Sequence, residues 1–250
     1  MQRLAENTGS KAAPAASEGM SSEKTQDPGL DPYLIESWGD GLFVKSDTGS
    51  IRVRPDRSPE REIDLPQLVQ GIKDRGYATP VLFHFRDLLD TTLRDIRDSF
   101  EAAIADLDYQ GGYVGVYPVK VNQQRTVVED IERAGRMFGF GLEVGSKPEL
   151  LAVLALTADQ PERLVICNGF KEARYVEFAM LAAKLGRAIV PVVENLDELH
   201  LVLEQAAKFG VRPRIGVRVN LNTQGVGRWA GSSGIRAKFG LTLAEVLETV

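Results

Sequence analysis

The sequence predicts an α/β protein whose main body is a run of parallel strand–helix units, the kind that close into a (β/α)8 barrel. Two observations carry this. First, apolar, strand-like runs begin near Tyr113, Phe138, Arg163, Arg187 and Arg214, with helix-like stretches between them at Thr126–Met137, Pro148–Leu156, Glu172–Leu185 and Leu196–Phe209. A spacing of about 25 residues fits one strand, one helix and two short loops, the period of parallel βα units. Second, each strand ends on a polar or ionisable group: Lys120, Glu143, Cys167-Asn168, Glu194, and Arg218 or Asn220. A doubly wound open sheet shares the period, but in a barrel these positions surround one mouth, where active sites are built. A strand end that simply meets solvent explains any one of them and explains five together less well.

The elements follow in order. Residues 1–30 are Ala, Ser, Gly, Glu and Lys with almost no large apolar residues, and read as a disordered tail. In residues 31–80, short alternating segments at Leu42–Lys45 and Ile51–Val53 flank Asp47-Thr48-Gly49, a hairpin signal, and a helix follows over Leu65–Asp74. Residues 81–250 open with a strand at Val81–Phe85 and an amphipathic helix over Asp87–Leu107 before the repeat begins. Leu164-Val165-Ile166 and Ile189-Val190-Pro191-Val192-Val193 are continuous apolar runs, as expected of strands buried on both faces. After the fifth strand, residues 221–234 hold four glycines, two serines and an Arg-Trp pair. They lack the spacing of a P-loop or dinucleotide fingerprint and read as a lid or insertion.

The chain of 250 residues carries a net charge of −5, which argues against a general nucleic-acid-binding surface. No apolar run reaches the length of a membrane span, and the N-terminus lacks the apolar core of a secretory signal. The single cysteine, Cys167, excludes an internal disulfide, fits a reducing cytoplasm and suits a packed core thiol. Two distant histidines, His84 and His200, argue against zinc. Lys120, at the end of the apolar run Gly115–Val119, must find a partner or lose its charge, because desolvation disfavours the ammonium. A neutral lysine is a nucleophile suited to Schiff-base chemistry, whereas one that has merely reached the strand end points into water. Glu143 and Arg218 have opposite charge and could satisfy one another.

Five strings in register resemble the biosynthetic arginine decarboxylases, pyridoxal-phosphate enzymes of the alanine-racemase-like barrel class. They are Tyr117-Pro118-Val119-Lys120-Val121-Asn122-Gln123-Gln124-Arg125, Gly141 through Leu150, Ile166-Cys167-Asn168-Gly169-Phe170-Lys171, Gly216-Val217-Arg218, and Lys238-Phe239-Gly240-Leu241. The Lys-Val-Asn-Gln-Gln string is the most telling for the arginine branch. The resemblance implies a partial (β/α)8 TIM-type barrel preceded by short strands of a β-domain. It implies that Lys120 bonds pyridoxal 5′-phosphate covalently, that Glu143 is an acid beside that linkage, and that Arg218 and Lys238 line the cofactor mouth. It also implies magnesium, decarboxylation of L-arginine to agmatine for polyamine synthesis, and a homo-oligomer when intact.

The chain ends at Val250 after about five units where eight close a barrel, so an incomplete form is expected, without the phosphate-binding loops of the later strands. The early hairpin is expected to lack a partner sheet. His84 stands where the family shows arginine, and is expected to be exposed or capping. The competing functional readings are a non-catalytic pyridoxal-phosphate-binding barrel protein and an inactive fragment.

Overall fold

The computed structural model describes residues 33–220 and 240–249. The expected tail, the glycine-rich stretch and Lys238 lie outside the described residues.

A short helix α1 (Ile35–Trp38) leads into the hairpin β1 (Phe43–Lys45) and β2 (Ile51–Val53), paired antiparallel with Val44 opposite Arg52. A third strand extends the hairpin. A two-residue strand, β3 (Ile63–Asp64), adds to β2 and makes a three-stranded sheet. It is too short for a period-2 signal and reaches the sheet only through tertiary pairing. Asp64 then caps α2 (Leu65–Asp74) by accepting the Gln67 N–H at 3.1 Å, with Pro66 in the first turn.

Val81–Phe85 is not a strand. It has no ladder partner among the described residues, and side chains hold it instead. His84 is exposed, as expected, and its Nε2 also lies 2.9 Å from Oδ2 of the buried Asp130, whose Oδ1 is 2.5 Å from Arg86 Nε. Helix α3 (Arg86–Asp106) follows and joins the small sheet through Thr91, whose hydroxyl donates to the Pro55 carbonyl at 2.8 Å.

The repeat then runs as β4 (Val116–Pro118), α4 (Arg125–Phe138), β5 (Gly141–Val144), α5 (Lys147–Leu156), β6 (Val165–Cys167), α6 (Ala173–Lys184), β7 (Ile189–Val193), α7 (Leu196–Phe209) and β8 (Gly216–Val217). All neighbouring strands are parallel, and their spatial order is the order of the sequence. A doubly wound sheet reverses its order at a switch point, whereas a barrel does not. The arc continues past β8: Val219 bridges Leu241 in parallel, and α8 (Leu243–Thr249) follows. A sixth unit therefore begins where the sequence pattern showed about five.

The core lies between the strands and α4–α7. Leu142, Val144, Val165, Cys167, Ile189 and Val193 meet Val128, Ile131, Val153, Val176, Met180 and Val202 from the helices. Burying one such aliphatic side chain contributes about 1.5–3 kcal/mol. Ile166, Val190 and Val192 alternate with these and are only half-buried. β6 and β7 thus bury one face fully, not two, because among the described residues no strand lies opposite the inner face of the arc. At the N-terminal ends of the strands, the buried Arg163 guanidinium donates to the Phe140 carbonyl and to Gln160 and lies 3.9 Å from Glu132.

Candidate active site at the strand ends

β4 gives way to a single 3-10 turn, Val119–Val121. Val119 is buried and anchors it, while the Lys120 side chain stands 62% exposed. The desolvation expected of this lysine is not found, because the turn lifts it off the strand end toward solvent. It does find a partner: Nζ lies 3.7 Å from Glu143 Oε1.

Glu143 sits inside β5. Leu142 and Val144 face the helices, so the pleat turns Glu143 to the opposite face. Its side chain is only 5% exposed. Oε1 accepts a hydrogen bond from Asn168 Nδ2 at 3.0 Å, and Oε2 is buried without a partner. A buried acceptor left unpaired costs about 1–3 kcal/mol. Asn168 is held in turn by its own N–H donating to the Val144 carbonyl at 2.8 Å, and its carbonyl accepts from the Tyr175 hydroxyl at 3.3 Å. Tyr175 is fully buried, which pushes its phenol up. Cys167 beside it is a core thiol, pushed up to about 12 by burial.

Glu143 and Arg218 do not satisfy one another. Arg218 Nη1 donates to Glu194 Oε1 at 3.1 Å, on the neighbouring unit. Glu143 on β5 is three strands from β8, roughly 14 Å at ordinary strand spacing, and only adjacent strand ends come within side-chain reach.

Side chains lace the rim of this mouth. Gln123 Nε2 donates to Glu149 Oε1 at 2.6 Å, Lys147 Nζ to Glu172 Oε1 at 2.6 Å, and Lys171 Nζ to Glu198 Oε2 at 3.1 Å. With Arg218–Glu194, each bond ties one βα loop to the next. Gly169 lies among them with φ +74°, and a Cβ there would collide with the carbonyl of Gly145. Sequence reasoning placed Asn168 at a strand end of the mouth but gave it no role, and it missed the ties. The available signals were the neutral amide at a strand end and the capping-box spacings Ser146…Glu149 and Asn195…Glu198. A cavity of 770 Å³ opens beside the rim, between α4 and α5, where Gln123, Ser146 and Glu149 line it, and one of 960 Å³ lies at the opposite, N-terminal strand ends around Gly141, Arg163 and Arg187.

The mouth thus holds an inward carboxylate with one orphaned oxygen beside a lysine at the first strand of a sequentially ordered parallel arc. The family model for pyridoxal-dependent decarboxylases, pyridoxal binding domain, matches residues 93–250. The chain belongs to the pyridoxal-dependent decarboxylases. Within that family it is 49% identical over 218 residues to the biosynthetic arginine decarboxylase of Gloeobacter violaceus, which covers 87% of this chain and 34% of that protein. It is 46% identical over 229 residues to the enzyme of the same name from Rhodopirellula baltica, covering 91% and 34%. Among solved structures, the biosynthetic arginine decarboxylase SpeA from Campylobacter jejuni superposes with a TM-score of 0.73 at 30% identity, over 86% of this chain and 34% of that one. The chain thus spans about a third of the length of the relatives it matches.

Proposed function

We propose that this chain supplies the lysine-bearing part of a pyridoxal-phosphate enzyme that decarboxylates L-arginine to agmatine and carbon dioxide, toward putrescine and spermidine. In this reading residues 81–250 are the barrel portion and residues 31–80 belong with a β-rich part. The observation that supports it most is the Lys120–Glu143 pair, with Glu143 Oε2 buried and unpaired. These residues fit a pyridoxal group: Lys120 offers a primary amine to its carbonyl, and Glu143 Oε2 offers a desolvated acceptor to a donor on it. When bound, the group's pyridinium ring supplies the electron sink that decarboxylation requires. Glu143 Oε1 takes the proton that the Lys120 ammonium must lose before its nitrogen can attack a carbonyl. Asn168 holds that oxygen in place. Arg218, steadied by Glu194, brings positive charge to the mouth.

Among the described residues no three carboxylate, imidazole or thiolate groups cluster as a ready-made cation site, and magnesium enters this reading from the resemblance alone. The proposal further takes the enzyme as cytoplasmic and as a homo-oligomer when intact, without nucleic-acid or membrane partners. The lone buried thiol supports the first point. Among the described residues no helix is long and apolar enough to cross a membrane.

The test is arginine-dependent carbon dioxide release with added pyridoxal phosphate, in the protein at its expressed length, with ornithine and lysine in parallel. Borohydride reduction followed by peptide mass spectrometry is expected to find the cofactor on Lys120. Label on Lys120 without carbon dioxide from any of the three amino acids would favour a non-catalytic pyridoxal-binding protein, and an unlabelled Lys120 would sink both readings.

A further inference from the structure

The Lys120 loop is weakly held. Residues 120–126 are all exposed, and no side chain between Val119 and Val127 is buried. Two of its bonds are local: the Tyr117 hydroxyl donates to the Asn122 carbonyl at 3.3 Å, and the Gln124 N–H to Asn122 Oδ1 at 3.0 Å. Apart from Lys120 itself, the loop reaches the next unit, among the described residues, through Gln123. Its amide donates to Glu149 Oε1, while Glu149 Oε2 accepts the Gly145 N–H at 2.6 Å. Gly145 follows Val144 at the end of the strand that carries Glu143. One carboxylate therefore fixes the loop bearing Lys120 against the strand bearing Glu143.

We infer that Gln123 and Glu149 are positioning residues that set the reach of Lys120 to Glu143, and so the readiness of the Lys120 amine for the cofactor. The inference rests on the pyridoxal reading of Lys120 and adds two residues to it. Neither touches the reacting atoms. Chemistry of this kind is sensitive to placement, since a displacement of about 1 Å can cost on the order of a hundredfold.

The bond has a polarity that can be inverted. In Glu149→Gln the amide cannot accept from both Gly145 N–H and Gln123, and in Gln123→Glu two carboxylates face one another. In the double variant, which combines Gln123→Glu with Glu149→Gln, the amide now on α5 accepts from the Gly145 N–H and donates to the carboxylate now on the loop, so both bonds return. Two readouts of Lys120 are compared by peptide mass spectrometry in the protein at its expressed length: borohydride-trapped pyridoxal phosphate, and acylation by an acetyl succinimidyl ester, which needs no cofactor. Each single variant is expected to lower pyridoxal labelling about tenfold and to raise acylation about threefold as the ammonium leaves Glu143, and the double variant to restore both. General loosening of the fold would not be repaired by a swap. Lys147→Ala, which breaks the neighbouring tie to Glu172, serves as the control and should move neither readout. Single variants with unchanged acylation, a double variant no better than the worse single, or a Lys147→Ala effect of equal size would each overturn the inference. If pyridoxal never favours Lys120 in the unaltered protein while acylation still follows the swap, the cofactor reading falls and the positioning role stands.

Discussion

Glu149 and Glu198 occupy the same position in α5 and α7 and make the same bonds in different surroundings. Each is the third helical residue after a capping Ser146 or Asn195, and each sends one oxygen back to a backbone N–H before the cap, Gly145 at 2.6 Å or Glu194 at 2.9 Å. Each also grips the loop of the preceding unit. Glu149 meets Gln123 in an exposed loop, whereas Glu198 meets Lys171 with both side chains almost wholly buried and also accepts the Lys171 N–H at 3.0 Å. Exposed ties of this sort contribute little to stability, while a buried pair that loses one member leaves a desolvated charge behind. The difference teaches that one side of the mouth is scaffold and the other, which carries the reactive lysine, is held by bonds that water can contest.

The comparison breaks most easily at its rigid end. Lys171→Met should cost about 3–5 kcal/mol in urea unfolding because Glu198 is left buried and uncompensated. A loss below about 1 kcal/mol would erase the distinction between the two ties. Next comes Gly169→Ala, where the positive φ and the Gly145 carbonyl should together cost about 1–3 kcal/mol by the same measurement. Glu149→Gln should cost less than about 1 kcal/mol of stability while lowering Lys120 labelling, and a cost equal to that of Lys171→Met would show that the Lys120 side is scaffold too.

The smallest effect is local and electrostatic. Glu62 is held below its usual 4.5 by Arg54 and Arg52, and Asp64 below its usual 3.8 by the Gln67 N–H and Ser50. Groups depressed in this way stabilise the fold above their unfolded values and lose that contribution as pH falls through the folded ones. Protection factors of the β2 and β3 amides, which correct for the slower intrinsic exchange in acid, should therefore fall below about pH 4, ahead of those of β5 and β6. A simultaneous fall in both sheets would remove the contrast between exposed and buried ties.

Much of this was legible in the sequence because it is periodic or local. The limits of α2 and α7, the hairpin, and the succession of strands and helices follow from hydrophobic spacing and caps, which act within one element. Lys120 and Glu143 stood out as ionisable groups ending or interrupting apolar runs. The rest was not legible, because it depends on what lies across from a segment. Val81–Phe85 has strand-like residues but no neighbour to pair with among the described residues, and Ile63–Asp64 pairs with β2 despite being only two residues long. Lys120 looked desolvated in its run, and a single 3-10 turn exposed it.

The sequence by itself determined that parallel βα units recur and that each brings a polar group to the same end of the sheet, since a strand–helix period and a strand end are one-dimensional facts. Tertiary structure alone decided which of those groups meet. Side chains reach only the adjacent strand, so Lys120 found Glu143, Arg218 found Glu194, and Glu149 came to hold the loop between Lys120 and its helix.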